Sequence, residues 1–267
     1  MTRCSRIAPA LIAILVAIGC GSSKPQDASA TTEGQAASSA PAQAAQASAG
    51  QPAATGSASI QGTVRLNGTA PAAEKVKMDA DPVCQQQHAS PVYTEDVVAD
   101  ANGGLKHVFV YVKEGAKGPF PVPTQPVVLN QQGCWYTPRV LGIQVNQPFE
   151  IVNSDGTLHN INAKPGVNPP FNIAQPVKGM KTTKKFTKPE IGVTFKCNVH
   201  PWMRAFAGVV EHPFFGVSGA DGAFTIAGLP AGTYVIEAWH EQYGTKTQTI
   251  SVGDGETTSL EFTFTAQ

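Results

Sequence analysis

The sequence predicts an all-β chain built as a sandwich or barrel. Apolar and β-branched residues come in short runs such as Val108-Phe109-Val110-Tyr111-Val112. Gly and Pro, 26 and 21 in number, punctuate those runs together with Asn and Asp. No long stretch repeats apolar residues at the spacing of a helix. Strands this short and turns this frequent are the signature of β-sandwiches and barrels.

The first twenty residues stand apart from that pattern. Arg3 and Arg6 give a positive start, and Ala10 to Ile18 is apolar but short for a membrane span. Gly19-Cys20 then places a small residue before a cysteine, which completes an export signal over 1–20. The cysteine at the cleavage point resembles the lipobox of bacterial lipoproteins, with Ala17 where a lipobox usually carries Leu. That resemblance implies a lipidated Cys20 and a protein anchored to a membrane of the cell envelope rather than spanning it. Ordinary cleavage to a soluble periplasmic protein is the alternative. Residues 21–58 are Ala, Ser, Gln, Gly and Thr without apolar periodicity, so they are expected to stay a disordered tether.

The folded part begins with Ile60 to Leu66, an alternating strand that meets the hairpin-type turn Asn67-Gly68. Strands follow at Val108 to Val112, Val127 to Leu129, Gly142 to Val145 and Phe149 to Val152. Gln175 to Glu190 reads as loop with a strand around Thr182 to Phe186. In Val193 to Cys197, alternation puts Val193, Phe195 and Cys197 on the core side and Thr194 and Lys196 opposite. Phe206 to Val210 returns.

Charge and cysteine counts narrow the function. Nineteen basic residues balance nineteen acidic ones, and without Arg3 and Arg6 the basic count is seventeen. A nucleic-acid binder would normally show a basic patch, so the balance argues against that class. Lys178, Lys181, Lys184, Lys185 and Lys188 cluster locally, as a solvated face or as a docking surface for an acidic partner. Of five cysteines, Cys4 leaves with the signal, Cys20 takes the lipid and Cys197 joins the motif below. Cys84 and Cys134 remain, a disulfide in an oxidising compartment or two buried thiols.

Cys197-Asn198-Val199-His200-Pro201-Trp202-Met203 carries the chemistry. It sets a thiolate, an imidazole and a thioether on one short loop stiffened by Pro201. His159 lies upstream, at what reads as a strand end after the turn Ser154-Asp155-Gly156. Two imidazoles, one thiolate and a weak thioether are the ligand set of a blue-copper electron-transfer site. A closed zinc site would want a further Cys or His where Met203 stands. Trp202 has two open readings, a core aromatic packing the loop or part of an apolar patch beside an exposed edge of His200. His88 and His107 read as surface or structural residues, and no ligand spacing joins His212 and His240 into a second site.

The Phe149 to Asn160 segment, with Asn153, Asp155 and His159-Asn160, resembles the first-histidine region of cupredoxins. The Cys197 to Met203 loop resembles the short ligand loop of amicyanins, and the following Arg204 and Gly208-Val209-Val210 are similar too. The resemblance covers about 125 to 212. It implies a Greek-key β-sandwich holding one mononuclear type 1 copper, with His159, Cys197, His200 and Met203 as ligands. Asn160 would tie the ligand loops by hydrogen bonds. It also implies an electron carrier, without catalytic turnover, serving periplasmic or membrane redox partners of cytochrome c or dehydrogenase type. No His-x-His pair supplies a second copper centre for an enzyme.

The tail differs. Asp221-Gly222-Ala223-Phe224, then Leu229-Pro230-Ala231-Gly232-Thr233-Tyr234, then Val235 to Trp239 and the alternating Leu260 to Phe264 resemble carboxypeptidase regulatory-like, or transthyretin-like, β-sandwich modules. The expected domains are 59–212 for the copper domain and 213–267 for this module. Ile60 to Leu66 also resembles the opening strand of such modules, so 59–124 belongs with either body. Two functions compete with electron transfer: copper storage or delivery through the same ligands, and a structural envelope lipoprotein whose tail module binds a partner.

Overall fold

Sixteen strands and one short helix make up the regular structure among the described residues, 55–266, of the computed structural model. The export signal, Cys20 and nearly all of the 21–58 tether lie outside the described residues. In chain order the elements are β1 (Ala58–Asn67), α1 (Pro82–Gln86), β2 (Phe109–Glu114), β3 (Val127–Gln131), β4 (Tyr136–Thr137) and β5 (Val140–Gln144). Then come β6 (Phe149–Asn153), β7 (His159–Lys164), β8 (Phe171–Gln175), β9 (Lys181–Lys184), β10 (Glu190–Lys196) and β11 (Arg204–Val210). The chain closes with β12 (Phe215–Val217), β13 (Ala223–Leu229), β14 (Gly232–His240), β15 (Gly244–Val252) and β16 (Thr257–Thr265).

Two sandwiches result. In the first, sheet β4-β3-β6-β9 faces sheet β5-β11-β10-β7-β8 across a core that includes Leu129, Phe149, Ile151, Phe186 and Phe195. The alternation expected in β10 holds: Val193, Phe195 and Cys197 are buried and Lys196 is exposed. In the second, sheet β13-β1-β16 faces sheet β12-β2-β14-β15 around Ile60, Val64, Phe224, Ile236, Phe262 and Phe264.

The 59–212 boundary is therefore corrected. β1 pairs antiparallel with β13 and parallel with β16, and β2 pairs with β12 and β14. The tail alone lacks the strands to close two sheets over its aromatic residues, and the N-terminal strands supply them. The same pairing accounts for Asn67-Gly68: β1 is flanked on both sides, so it has no free edge for a hairpin partner. Gly68 serves as a strand stop with a positive φ of 98°.

Between β1 and β2 the chain leaves the second sandwich and crosses to the first. Val76 and Val92 pair at the base of this excursion, and Val76, Met78 and Cys84 enter the first sandwich's core. Asp81-Pro82 starts α1, with Asp81 as N-cap and Pro in the first turn, where its missing N–H costs nothing.

The sandwiches pack face to face. On β2, Val110 and Val112 point into the second core, whereas Phe109 and Tyr111 join Val140, Phe206, Val210 and Phe215 between the bodies. β11 divides likewise, with Ala205, Ala207 and Val209 in the first core and Phe206 and Val210 at the interface. Strands buried on both faces lose alternation and read as continuous apolar runs, which explains Val108 to Val112 and Phe206 to Val210. Gly208 and Gly142, register partners on β11 and β5, make the approach possible. An added Cβ would lie 2.1 Å from the Phe109 ring at Gly208 and 2.2 Å from the Phe215 ring at Gly142. Burying an aromatic such as Phe109 contributes about 1.5–3 kcal/mol.

A buried ion-pair group fastens the same junction. Arg139, just ahead of β5, is 3% exposed and reaches both Asp96 at 2.7 Å and Glu241 at 2.6 Å. These residues come from the first sandwich, the excursion and the end of β14. Burial pushes the Glu241 carboxyl up to about 7 despite Arg139.

Candidate metal centre

Four potential ligands sit at one end of the first sandwich, fully or almost fully buried: His159 and Met203 at 0%, His200 at 2% and Cys197 at 3% exposure. Cys197 directly follows β10 and Arg204 opens β11, so the loop between them is short. It closes on itself, with Cys197 N donating to Met203 O at 3.2 Å and Met203 N to His200 O at 2.9 Å. His200 N points at Cys197 Sγ, 3.4 Å away. His159 opens β7 instead of ending a strand, because the turn after β6 ends there and the chain crosses into the facing sheet at that residue.

The structure brings His159, Cys197 and His200 together, with one donor atom from each within 4.8 Å of the others. The Nδ1 atoms of the two histidines are 3.0 Å apart, and Cys197 Sγ is 3.8 Å from His200 Nδ1. The outer nitrogens are both engaged. His159 Nε2 is 2.8 Å from Asp155 Oδ2, and His200 Nε2 is 3.0 Å from Asp81 Oδ2. A carboxylate accepts only, so each Nε2 carries a ring proton and, in the neutral ring, each Nδ1 presents a lone pair.

Two lone pairs and a thiol sulfur thus converge in a dry space. Burial pushes the Cys197 thiol up, but hydrogen bonds from His159 and His200 outweigh it and bring it down to about 6 from 9.0. Burial pushes His159 down, yet Asp155 and Cys197 carry it up to about 8. Two imidazole nitrogens and a sulfur this close together would suit a cation with affinity for both.

Asn160, beside His159 on β7, bonds to the Cys197–Met203 loop. Its Oδ1 accepts from Asn198 N at 2.6 Å and lies 3.4 Å from Cys197 Sγ. Cys84 and Cys134 are joined in a disulfide. Sequence reasoning did not place that bond at the site, where Cys84 Sγ is 3.4 Å from His200 Nε2. The Asp81 and Asp155 partners were also missed as such. Asp81-Pro82 carries a helix-start signal, but nothing in its composition points to a histidine 119 residues away.

Trp202 takes the first of its two readings. It is half-buried, its ring 5.2 Å from that of His200, and its Nε1 donates to Cys134 O at 3.0 Å. The edge of His200 that an apolar patch would have exposed is covered by Asp81 and Cys84. His88 bonds Gly133 O, and His107 Nε2 lies 3.6 Å from Glu95 Oε2. His212 bonds Val112 O, His240 accepts from Gln242 N, and none of these four joins a ligand group among the described residues. Lys178, Lys181, Lys185 and Lys188 are exposed and Lys184 partly so, a solvated face on which Lys181 pairs with Glu150.

Residues 212–265 match the family model described as a carboxypeptidase regulatory-like domain. That stretch holds β12–β16 and lacks β1 and β2, which complete its sheets. No curated protein matches the chain. Among solved structures, the chain is similar to a Cu-containing nitrite reductase from Thermus scotoductus SA-01. The match has 28% identity, covers 37% of this chain and 25% of that one, and has a TM-score of 0.28. A reduced mutant amicyanin matches at 22% identity over 32% of this chain and 81% of its own, with a TM-score of 0.28. A purple cupredoxin from Nitrosopumilus maritimus matches at 20% identity over 32% of this chain and 97% of its own, with a TM-score of 0.27. This chain thus spans a quarter of the nitrite reductase.

Proposed function

We propose that the protein is an electron carrier of the cell envelope, holding one mononuclear type 1 copper through His159, Cys197, His200 and Met203. The observation that carries the reading is the convergence of the two histidine Nδ1 atoms, 3.0 Å apart, with the buried Cys197 sulfur. Copper bound there would supply a one-electron couple, and soft and borderline donors held rigidly serve both of its oxidation states. Four protein donors leave no open position for a substrate, which favours outer-sphere transfer over catalysis. The partners on this reading are periplasmic or membrane redox proteins, and Cys20 is the lipid anchor that keeps the carrier near them.

The visible spectrum of the copper(II) protein tests this. An intense thiolate-to-copper band is expected, and it disappears in Cys197→Ser. A colourless copper adduct of the wild type sinks the proposal. Met203→Leu is expected to keep the colour and raise the reduction potential, and an unchanged potential would remove Met203 as axial ligand. A delivery protein with the same ligands would lose copper on cycling, whereas a carrier retains it through a reversible couple.

A further inference from the structure

The two outer carboxylates share a feature that the ligand set does not require. Asp81 uses Oδ2 for His200 Nε2 and Thr157 Oγ1, while its Oδ1 accepts from Val83 N and Cys84 N. Asp155 uses Oδ2 for His159 Nε2 and Cys134 N, while its Oδ1 accepts from Gly133 N. Each carboxylate therefore grips one histidine and one half of the Cys84–Cys134 disulfide. His159, Asp155, Cys134, Cys84, Asp81 and His200 form a closed ring around the pocket. One side comes from β7 and the turn before it. The other comes from the excursion that belongs, by sequence, to the second sandwich.

We propose that Asp81 and Asp155 are positioning residues that bias the copper centre toward its oxidised state, with the disulfide holding both carboxylates against the histidines. The proposal rests on the copper reading above and assigns these two residues a role in it. The reasoning is electrostatic. A carboxylate that accepts the Nε2 proton makes the imidazole a stronger donor at Nδ1. One-electron reduction by a redox partner removes one positive charge from the centre and leaves both negative carboxylates in place. Each carboxylate thus stabilises the dipositive state more than the monopositive one. Burial sharpens the difference most at Asp155, 2% exposed beside a fully buried His159, and less at Asp81, whose side chain is 18% exposed, because charges in a dry site are weakly screened.

Asp81→Asn is the sharpest variant. Asparagine is as good an N-cap as aspartate, so its side-chain oxygen keeps the Val83 and Cys84 amides. Its NH2 group then faces the His200 Nε2 proton and cannot accept it. Copper(II) affinity is expected to fall about ten- to a hundredfold, with copper(I) affinity changing less. Each tenfold change in their ratio raises the one-electron potential by about 59 mV. Asp155→Asn makes the same test on His159. A readout without copper accompanies both: in the metal-free protein the His200 Nε2 proton should exchange slowly with solvent, and in Asp81→Asn it should not. Far-UV circular dichroism and an intact disulfide by mass establish that each variant is folded. A coloured wild type together with folded variants whose affinity ratio is unmoved overturns this inference alone. A wild type that binds copper without the thiolate band overturns the copper reading and this inference with it.

Discussion

Replacing both Cys84 and Cys134 with alanine should destabilise the protein by about 4 kcal/mol. The bond joins residues 50 apart in sequence. Closing a loop of that length removes an unfolded-state entropy of roughly 14 cal/mol/K, or about 4 kcal/mol at 25 °C. Both cysteines are fully buried against the first core, so the voids left by two sulfurs add to the loss. For a chain of this size the loss corresponds to a fall in melting temperature of about 8–16 °C. Denaturant unfolding of wild type and double variant, monitored by Trp fluorescence, measures it directly through the shift in midpoint. The α1 turn has five residues and cannot hold itself in water. The excursion then rests on Val76, Met78 and the Asp81 contacts. A double variant within 1 kcal/mol of wild type at unchanged slope would refute the reasoning, because the loop-closure argument requires about four times that.

Gly208→Ala should cost about 1–3 kcal/mol or more by urea unfolding, since its methyl would lie 2.1 Å from Phe109. Phe109→Leu in the same chain should recover part of the loss, and a neutral Gly208→Ala would contradict the face-to-face packing. Arg139→Met strips Glu241 of its partner in a buried site and should cost roughly 3–5 kcal/mol. Adding Glu241→Gln should return much of it, and strict additivity in that double-mutant cycle would deny the coupling. Burial, with His107 and Arg139 nearby, holds His240 down at about 4 from 6.5. The native state thus keeps this imidazole neutral. Its contribution is complete above pH 6.5 and is lost as pH falls through about 4, up to about 3 kcal/mol. His240→Gln should flatten the stability–pH curve over that window, and an equally steep curve in the variant would assign the acid loss to other groups.

Strands were legible in two ways, by alternation where one face meets water and as continuous apolar runs where both faces are buried, as in β2 and β11. Val193 to Cys197 alternates because Lys196 faces solvent while Phe195 faces the core. β15 left no such trace, since most of its residues are exposed and no apolar stripe marks either face. β8 falls between, its pattern only intermediate and exposed until Gln175. The ligand loop was legible for a different reason. Cys197, His200 and Met203 are local in sequence, and backbone closure over so short a span leaves them few ways to point.

The all-β class, the strand that aims Cys197 inward and the identity of the candidate ligands are written in the order of the residues. Those follow from local periodicity, turn residues and the donor chemistry of particular side chains. Folding is what brings β1 and β2 into the second sandwich, lets Gly142 and Gly208 admit its aromatics, and sets Asp81 and Asp155 behind the histidines. Each of these depends on which distant segments lie side by side. A carboxylate looks the same in sequence whether it faces water or the outer nitrogen of an imidazole 119 residues away. The disulfide carries both lessons: its two cysteines were left over in a count, and the fold set their bond against His200.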